Sequence, residues 1–213
     1  MKNRIYSKIF LWLFIGLLVT FATGFYTAIN EDALEAIFKK GMYLFFILAE
    51  IGIAVFLSVR INKMQPTTAK VLYLLYAFFS GLTFASIFVV YKLTSIIMVF
   101  AITAGLFFIF ALIGRFTKLD LTKVGTYLIM MLLGIIICSI VNIFLENSTF
   151  DLLISVVSII VFLGFIAYDV QKIERMGVFI EEENLAVIGA FELYLDFINV
   201  FIDLIRIFGD SRD

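Results

Sequence analysis

The chain of 213 residues contains no histidine, one cysteine and one proline, and only 15% of its residues are charged. Without histidine it lacks the commonest metal ligand and the side chain that ordinarily titrates near neutrality, so any proton chemistry falls to carboxylates. Cys138 alone can form neither an intrachain disulfide nor a cysteine-based metal cluster, and it reads as a small buried hydrophobe. Lys and Arg number 16 against 17 Asp and Glu, a net charge of -1. No global basic field exists to attract nucleic acid. P-loop, G-x-G-x-x-G, H-E-x-x-H and EF-hand patterns are all missing, so nucleotide-driven transport has no support and no cofactor is expected.

What the chain has is apolar length. Hydrophobic residues make up 63% of it, against ~45–50% in a soluble domain. Long, largely apolar runs cover 9–29, 41–59, 71–91, 93–114, 124–145, 152–173 and 185–207, each near the ~20 residues that a membrane crossing needs. The chain therefore reads as an all-α integral membrane protein of seven transmembrane helices, a single polytopic domain over 1–213. The first run follows Lys2, Arg4 and Lys8 but has no A-x-A cleavage pattern after it, and so reads as a retained span. The connections are short, the longest being 30–40 and 171–184, and Pro66 lies between the second and third runs.

Basic residues set orientation, because Lys and Arg hold short loops in the cytoplasm. With the N-terminus inside, 11 basic residues fall in inner segments, among them Lys63, Lys118 and Lys172. Five fall elsewhere: Lys39, Lys40 and Lys92 in outer loops, with Arg206 and Arg212 at the C-terminal end. The N-terminus is expected in the cytoplasm. Asn147, Ser148 and Thr149 match the N-x-[ST] pattern on an outer loop, a short motif that chance readily produces.

Five carboxylates interrupt the apolar runs: Glu50, Asp169, Glu192, Asp196 and Asp203. An acid at the bilayer centre costs on the order of 2.5–3.5 kcal/mol on insertion scales, so a helix that carries three of them should not face lipid. Glu192, Asp196, Asn199, Asp203 and Arg206 follow one another at intervals of four, three, four and three residues, which places them on one stripe of a helix. The seventh helix is thus expected at the centre, surrounded by the other six. Asp203 also has a plain reading as a local ion pair with Arg206, and Glu192 as a carboxylate reaching the interface. Glu50 sits mid-span with no charge within a turn, where it serves either a hydrogen bond to a neighbouring helix or an ion pathway.

Two segments then carry a family resemblance. Tyr168, Asp169, Val170, Gln171, Lys172 and Ile173 form a Y-D-x-Q-x-I ending to the sixth run. The seventh holds L-Y-L-D-F-I-N from Leu193 to Asn199, followed by Phe201, Leu204 and Arg206 to Gly209. Together with the seven-span layout, these resemble the transmembrane Bax inhibitor motif family. The resemblance implies a passive, pH-sensitive calcium leak in which Asp169 and Asp196 pair across the last two helices and share a proton. It also implies that Glu50 belongs to the pore, that Arg60 is a latch able to pair with Asp169, and that Glu50, Asp169 and Asp196 supply oxygen to calcium. Glu192, Asn199 and Asp203 extend the ion pathway. The residues alone favour a cation path, since carboxylates and carbonyls suit hard cations, but they leave calcium, sodium and protons open. The expected partners are membrane lipids, calcium ions and protons, and the expected location is a bacterial cytoplasmic membrane.

Three other functions fit parts of the pattern. An intramembrane aspartyl protease would use two aspartates that share a proton. However, Asp196 is preceded by Leu193, Tyr194 and Leu195 rather than by G-x-G, and the single proline leaves no P-A-L motif, so an enzyme is not expected. An interaction protein that modulates membrane proteases or cell-death partners needs no ion flux of its own. A proton-coupled transporter of a small solute would show saturation and exchange.

Overall fold

A computed structural model describes residues 2–38, 42–60, 64–177 and 180–212. Of the charges used for orientation, Lys39, Lys40 and Lys63 lie outside the described residues. Within those residues the regular elements are α-helices: α1 (Lys2–Ile29), α2 (Glu31–Phe38), α3 (Met42–Arg60), α4 (Pro66–Val90), α5 (Leu93–Phe116), α6 (Thr122–Leu145), α7 (Ser148–Met176) and α8 (Glu182–Phe208). Seven of them are long and apolar enough to cross a membrane. They coincide with the seven apolar runs, while α2 fills the connection at 30–40.

Local chemistry explains the helix ends. At the start of α2, Asn30 Oδ1 accepts from the Ala33 amide at 3.0 Å, with Glu31 and Asp32 in the first turn; such a cap satisfies an otherwise orphaned donor and favours acids beside it. Pro66 opens α4, where its missing N–H costs nothing. Glu146 closes α6 in a left-handed conformation with φ 49°, its amide bonded to Asn142 O at 2.8 Å. Asn147 then accepts from the Phe150 amide at 2.9 Å. The N-S-T tripeptide therefore serves as the start of α7.

Two compact units can be distinguished, one formed by residues 1–92, 176–194 and 211–213, the other by 93–175 and 195–210. In the first unit, α1 lies along α4, α3 packs on α4, and α2 touches α1 and α3. Close approach of α1 and α4 depends on Gly81, where a Cβ would press against the Thr20 carbonyl and the Thr23 side chain. Phe21 meets Phe84 and Phe88 edge to face, and Tyr73 and Tyr76 do the same with Phe191 and Tyr194 from the first half of α8. The chain end returns to this unit, with Arg212 N bonded to Val90 O at 2.8 Å. In the second unit, a Cβ on Gly114 of α5 would strike the Ala167 carbonyl of α7, and one on Gly125 of α6 would strike the Tyr168 ring, so both glycines permit close approach. Phe100 and Phe107 of α5 pack at a tilt against Phe197 of α8.

Burial is uneven: 78% of the apolar stretch of α8 is buried, against 6% of that of α6. Lipid tails solvate an apolar helix as well as protein does, but they offer nothing to a carboxylate. Helix α8, with three of the five intramembrane acids, is the most buried of the seven spans, whereas α3, with Glu50, is 11% buried.

Candidate functional site

The intramembrane carboxylates divide between the two units. Glu50, Glu192 and Arg60 belong to the first, and Asp169, Asp196, Asn199 and Asp203 to the second. Asp169 on α7 and Asp196 on α8 are deeply enclosed, at 7% and 4% exposure. The Asp169 Oδ1 lies 3.9 Å from Lys172 Nζ, one turn further along α7. The 4-3-4-3 spacing from Glu192 to Arg206 falls within one unbroken helix, so those residues do share a stripe.

Towards the end of α8, Asp203 is buried and receives hydrogen bonds from the Ser155 and Ser158 hydroxyls of α7. Arg206 stands 3.6 Å from both Asp203 and Asp151, and its Nη1 donates to Ser155 Oγ at 3.1 Å. The i,i+3 ion pair read from sequence is therefore present, within a wider α7–α8 group. Asn199 donates to the Leu195 carbonyl of its own helix at 2.7 Å, the local back-bond of a polar side chain within a helix.

In the first unit, Glu50 is half-buried on α3, and its Oε1 accepts from Thr83 Oγ1 of α4 at 2.9 Å. The bond to a neighbouring helix holds the carboxyl in place. Nearby, Tyr194 and Thr20 hydroxyls lie 2.6 Å apart, and Thr20 also reaches the Ala77 carbonyl at 2.9 Å. Ser80 bonds the Tyr194 hydroxyl as well. Hydroxyls from α1, α4 and α8 thus form one hydrogen-bonded group in this unit. Glu192 is half-buried, and Arg60 is exposed as the last residue of α3.

Two polar groups escaped sequence reasoning. At the start of α8, Lys8 Nζ lies 2.7 Å from Glu182 and from Glu183, Lys70 also pairs with Glu183, and Arg4 stands 3.6 Å from Glu182. Asn184 donates to the Met64 carbonyl at 3.1 Å. The available signal was the run of acids before an apolar helix, which suits a helix N-terminus, set against a basic chain start. In the other unit, Arg175 binds Asp120 at 2.7 Å together with Thr122 and Gln171. The Asp120 carboxyl is held well below the usual carboxylate range, chiefly by the Thr122 hydroxyl and amide and then by Arg175.

Among the described residues no three Asp, Glu or Cys side chains converge as a metal cage.

The sequence model of the family described as "Inhibitor of apoptosis-promoting Bax1" matches residues 2–213. The inner membrane protein YbhL of Escherichia coli (strain K12) is 37% identical over 213 residues, 97% of this chain and 91% of its own length. A Borreliella burgdorferi protein described as uncharacterized is 39% identical over 218 residues, covering 100% of this chain and 94% of its own. A Streptococcus pyogenes membrane protein is 35% identical over 160 residues, 74% of this chain and 70% of its own.

Proposed function

The chain belongs to the Bax inhibitor family of membrane proteins, and from that premise we propose that it is a passive, pH-sensitive calcium leak of the bacterial cytoplasmic membrane, with its N-terminus in the cytoplasm. The observation that carries this reading is the burial of two carboxylates, Asp169 and Asp196, on apolar helices of one unit. A buried intramembrane acid is expensive and persists where it does work. Two such groups in poorly hydrated surroundings cannot both ionise easily, so they titrate as a pair and one retained proton links α7 to α8. When that proton leaves, two negative charges repel and the helices favour a second arrangement, with Arg60 as the latch. Glu50, Glu192, Asn199 and Asp203 offer oxygen to the ion as cargo. No bond is made or broken, and the protein is not an enzyme.

The test is calcium flux into liposomes that hold only this protein, at several pH values. Asp169→Asn and Asp196→Asn keep size and hydrogen bonding but remove titration, so each should flatten the pH dependence, while Glu50→Gln should lower the flux itself. An unchanged pH profile in both Asn variants overturns the gating. The family description, inhibition of apoptosis-promoting Bax1, favours a second reading, an interaction protein without transport. That reading prevails if the purified protein moves no calcium at any pH.

A further inference from the structure

Helix α5 ends at Phe116 and α6 begins at Thr122, so the residues between them lie where two apolar spans stop, at the level of lipid headgroups. From Arg115 to Lys123 the chain reads R-F-T-K-L-D-L-T-K, with three basic residues and one acid. Arg115, Lys118 and Lys123 are exposed, and so are the apolar side chains set among them, Phe116 at 71% and Leu119 at 72%. The Arg115 guanidinium stands 5.6 Å from the centre of the Phe116 ring. One turn into α6 from Lys123, on the same face, Tyr127 is exposed as well. Large apolar side chains beside cations are costly in water. They suit the boundary between headgroups and acyl chains, where the apolar groups sink and the ammonium groups stay at the phosphates.

Helix α7 fixes the backbone of this loop. Gln171, the glutamine of the Y-D-x-Q-x-I segment, donates through Nε2 to the Leu119 carbonyl at 2.8 Å, while its Oε1 accepts from the Leu121 amide at 2.9 Å. Arg175, one turn further on, donates to Gln171 Oε1 at 2.7 Å and holds Asp120 at 2.7 Å. The one acid of the loop is thus matched by a cation from α7. Over 169–175, α7 itself carries two acids and two bases, so the excess of positive charge at this corner comes from the loop. A loop held in one shape has little left to order when it meets a ligand, and loses less entropy than a free one.

We propose that the α5–α6 loop binds the headgroup of an anionic phospholipid. Lys118 and Lys123 meet its phosphate, Phe116, Leu119 and Tyr127 seat the first carbons of its acyl chains, and Gln171 is the positioning residue that keeps the loop in the receiving shape. A free phosphate would use the lysines alone, whereas the apolar side chains beside them fit a phosphate that carries acyl chains. The orientation proposed above assigns this lipid to the cytoplasmic leaflet, but the binding itself requires neither that orientation nor any ion flux.

The experiment is native mass spectrometry of the full-length protein in detergent micelles, titrated with phosphatidylglycerol or with phosphatidylcholine, which reads the affinity of the first lipid bound. A micelle has no sides, so the result is independent of orientation and of the leak reading. The wild type should prefer phosphatidylglycerol. Lys118→Gln with Lys123→Gln should lower that preference about tenfold, the scale of two basic groups at a partly screened membrane surface, and Lys118→Arg with Lys123→Arg should keep it. Lys92→Gln with Arg212→Gln removes the same charge at exposed positions elsewhere and should leave the preference within about twofold of the wild type, as the far ends of the chain lie beyond screened reach. In Gln171→Leu the charges are unchanged, so the dependence on salt should persist while the preference falls about threefold through the loss of preorganisation. Gln171→Asn, too short to span the Leu119 and Leu121 backbone, serves as the second variant if the leucine protein does not fold. An equal loss in the Lys92 and Arg212 pair overturns the site in favour of bulk charge. A wild type without preference also overturns it, and leaves the loop to an acidic segment of a partner protein. An unchanged preference in both Gln171 variants overturns the positioning role.

Discussion

Helices α6 and α8 have similar lengths and nearly opposite surroundings. The apolar stretch of α6 is 6% buried and that of α8 is 78% buried, yet α6 is the more hydrophobic of the two. In water the order would be reversed, with the greasier helix in the core. In a bilayer the hydrophobic effect no longer sorts helices, and what remains is packing and the need to satisfy polar groups. Helix α8 is enclosed because lipid cannot serve Asp196 and Asp203. Helix α6 carries no Asp, Glu, Lys or Arg between Val124 and Leu145, and its Met130, Ile137 and Phe144 lie exposed on the side that lipid solvates.

The largest test of this contrast pairs two phenylalanines. Phe201 on α8 is fully buried, whereas Phe144 on α6 is 83% exposed. Phe201→Ala leaves a cavity and should lower stability by about 2–4 kcal/mol. Phe144→Ala exchanges one lipid contact for another and should change it by less than about 0.5 kcal/mol. Equilibrium unfolding in mixed micelles measures both. Equal losses would mean that α6 is packed in the membrane in a way its exposure does not reflect.

Glycines sharpen the same comparison at smaller scale. A Cβ on Gly114 would press on the Ala167 backbone carbonyl, which cannot move aside as a side chain can, while Gly134 on α6 faces open space. Gly114→Ala should therefore cost about 1–3 kcal/mol. Gly134→Ala should be neutral, or should stabilise by up to about 1 kcal/mol through helix propensity. Thermal melts of the two variants, read side by side, decide it.

How legible this was depends on the range of the interaction. Seven spans could be read because each is a local run, and the α8 stripe because helical periodicity makes Glu192, Asp196 and Asp203 neighbours on a face. The burial of Asp196 and Asp203 on α8 followed from the cost of placing an acid in lipid. Contacts with no local signature were not legible. Thr83 looks like any threonine in an apolar run until α4 is set beside α3. Lys8 and Glu183 are 175 residues apart, and nothing in either neighbourhood names the other. The helix at 31–38 escaped because it is short, and its one fully enclosed side chain is Ile37.

The ion pairs at the head of α8 are a weaker hold than its buried length. Glu183 takes both Lys8 and Lys70, but its side chain is 38% exposed and theirs are 28% exposed, a setting in which pairs contribute about 0.2–1 kcal/mol each. Glu183→Gln should therefore lower the melting temperature slightly, and less so in high salt, where screening already weakens the pairs. A loss as large as that of Phe201→Ala would show that charge, and not packing, keeps α8 enclosed.

The smallest effect belongs to the foot of α6, where a helix with little buried surface begins at a polar knot. Asp120 accepts from the Thr122 amide at 2.9 Å and from its hydroxyl at 2.7 Å, and Arg175 of α7 closes on the same oxygen at 2.7 Å. These bonds favour the ionised carboxyl, so its folded pKa lies below the unfolded value of ~3.9. A depressed pKa contributes stability that is present above the unfolded value and lost as pH falls through the folded one. The wild-type melting temperature should thus drop in strong acid by an increment that Asp120→Asn lacks, while the two proteins differ little in shape of response above pH 5. The group is solvent-exposed, so screening keeps the increment small. Measured melting curves from pH 2 to pH 7 for both proteins give the difference directly. If their acid limbs coincide, the knot does not anchor α6, and the glycine contact at Tyr168 is left as what seats that helix in its unit.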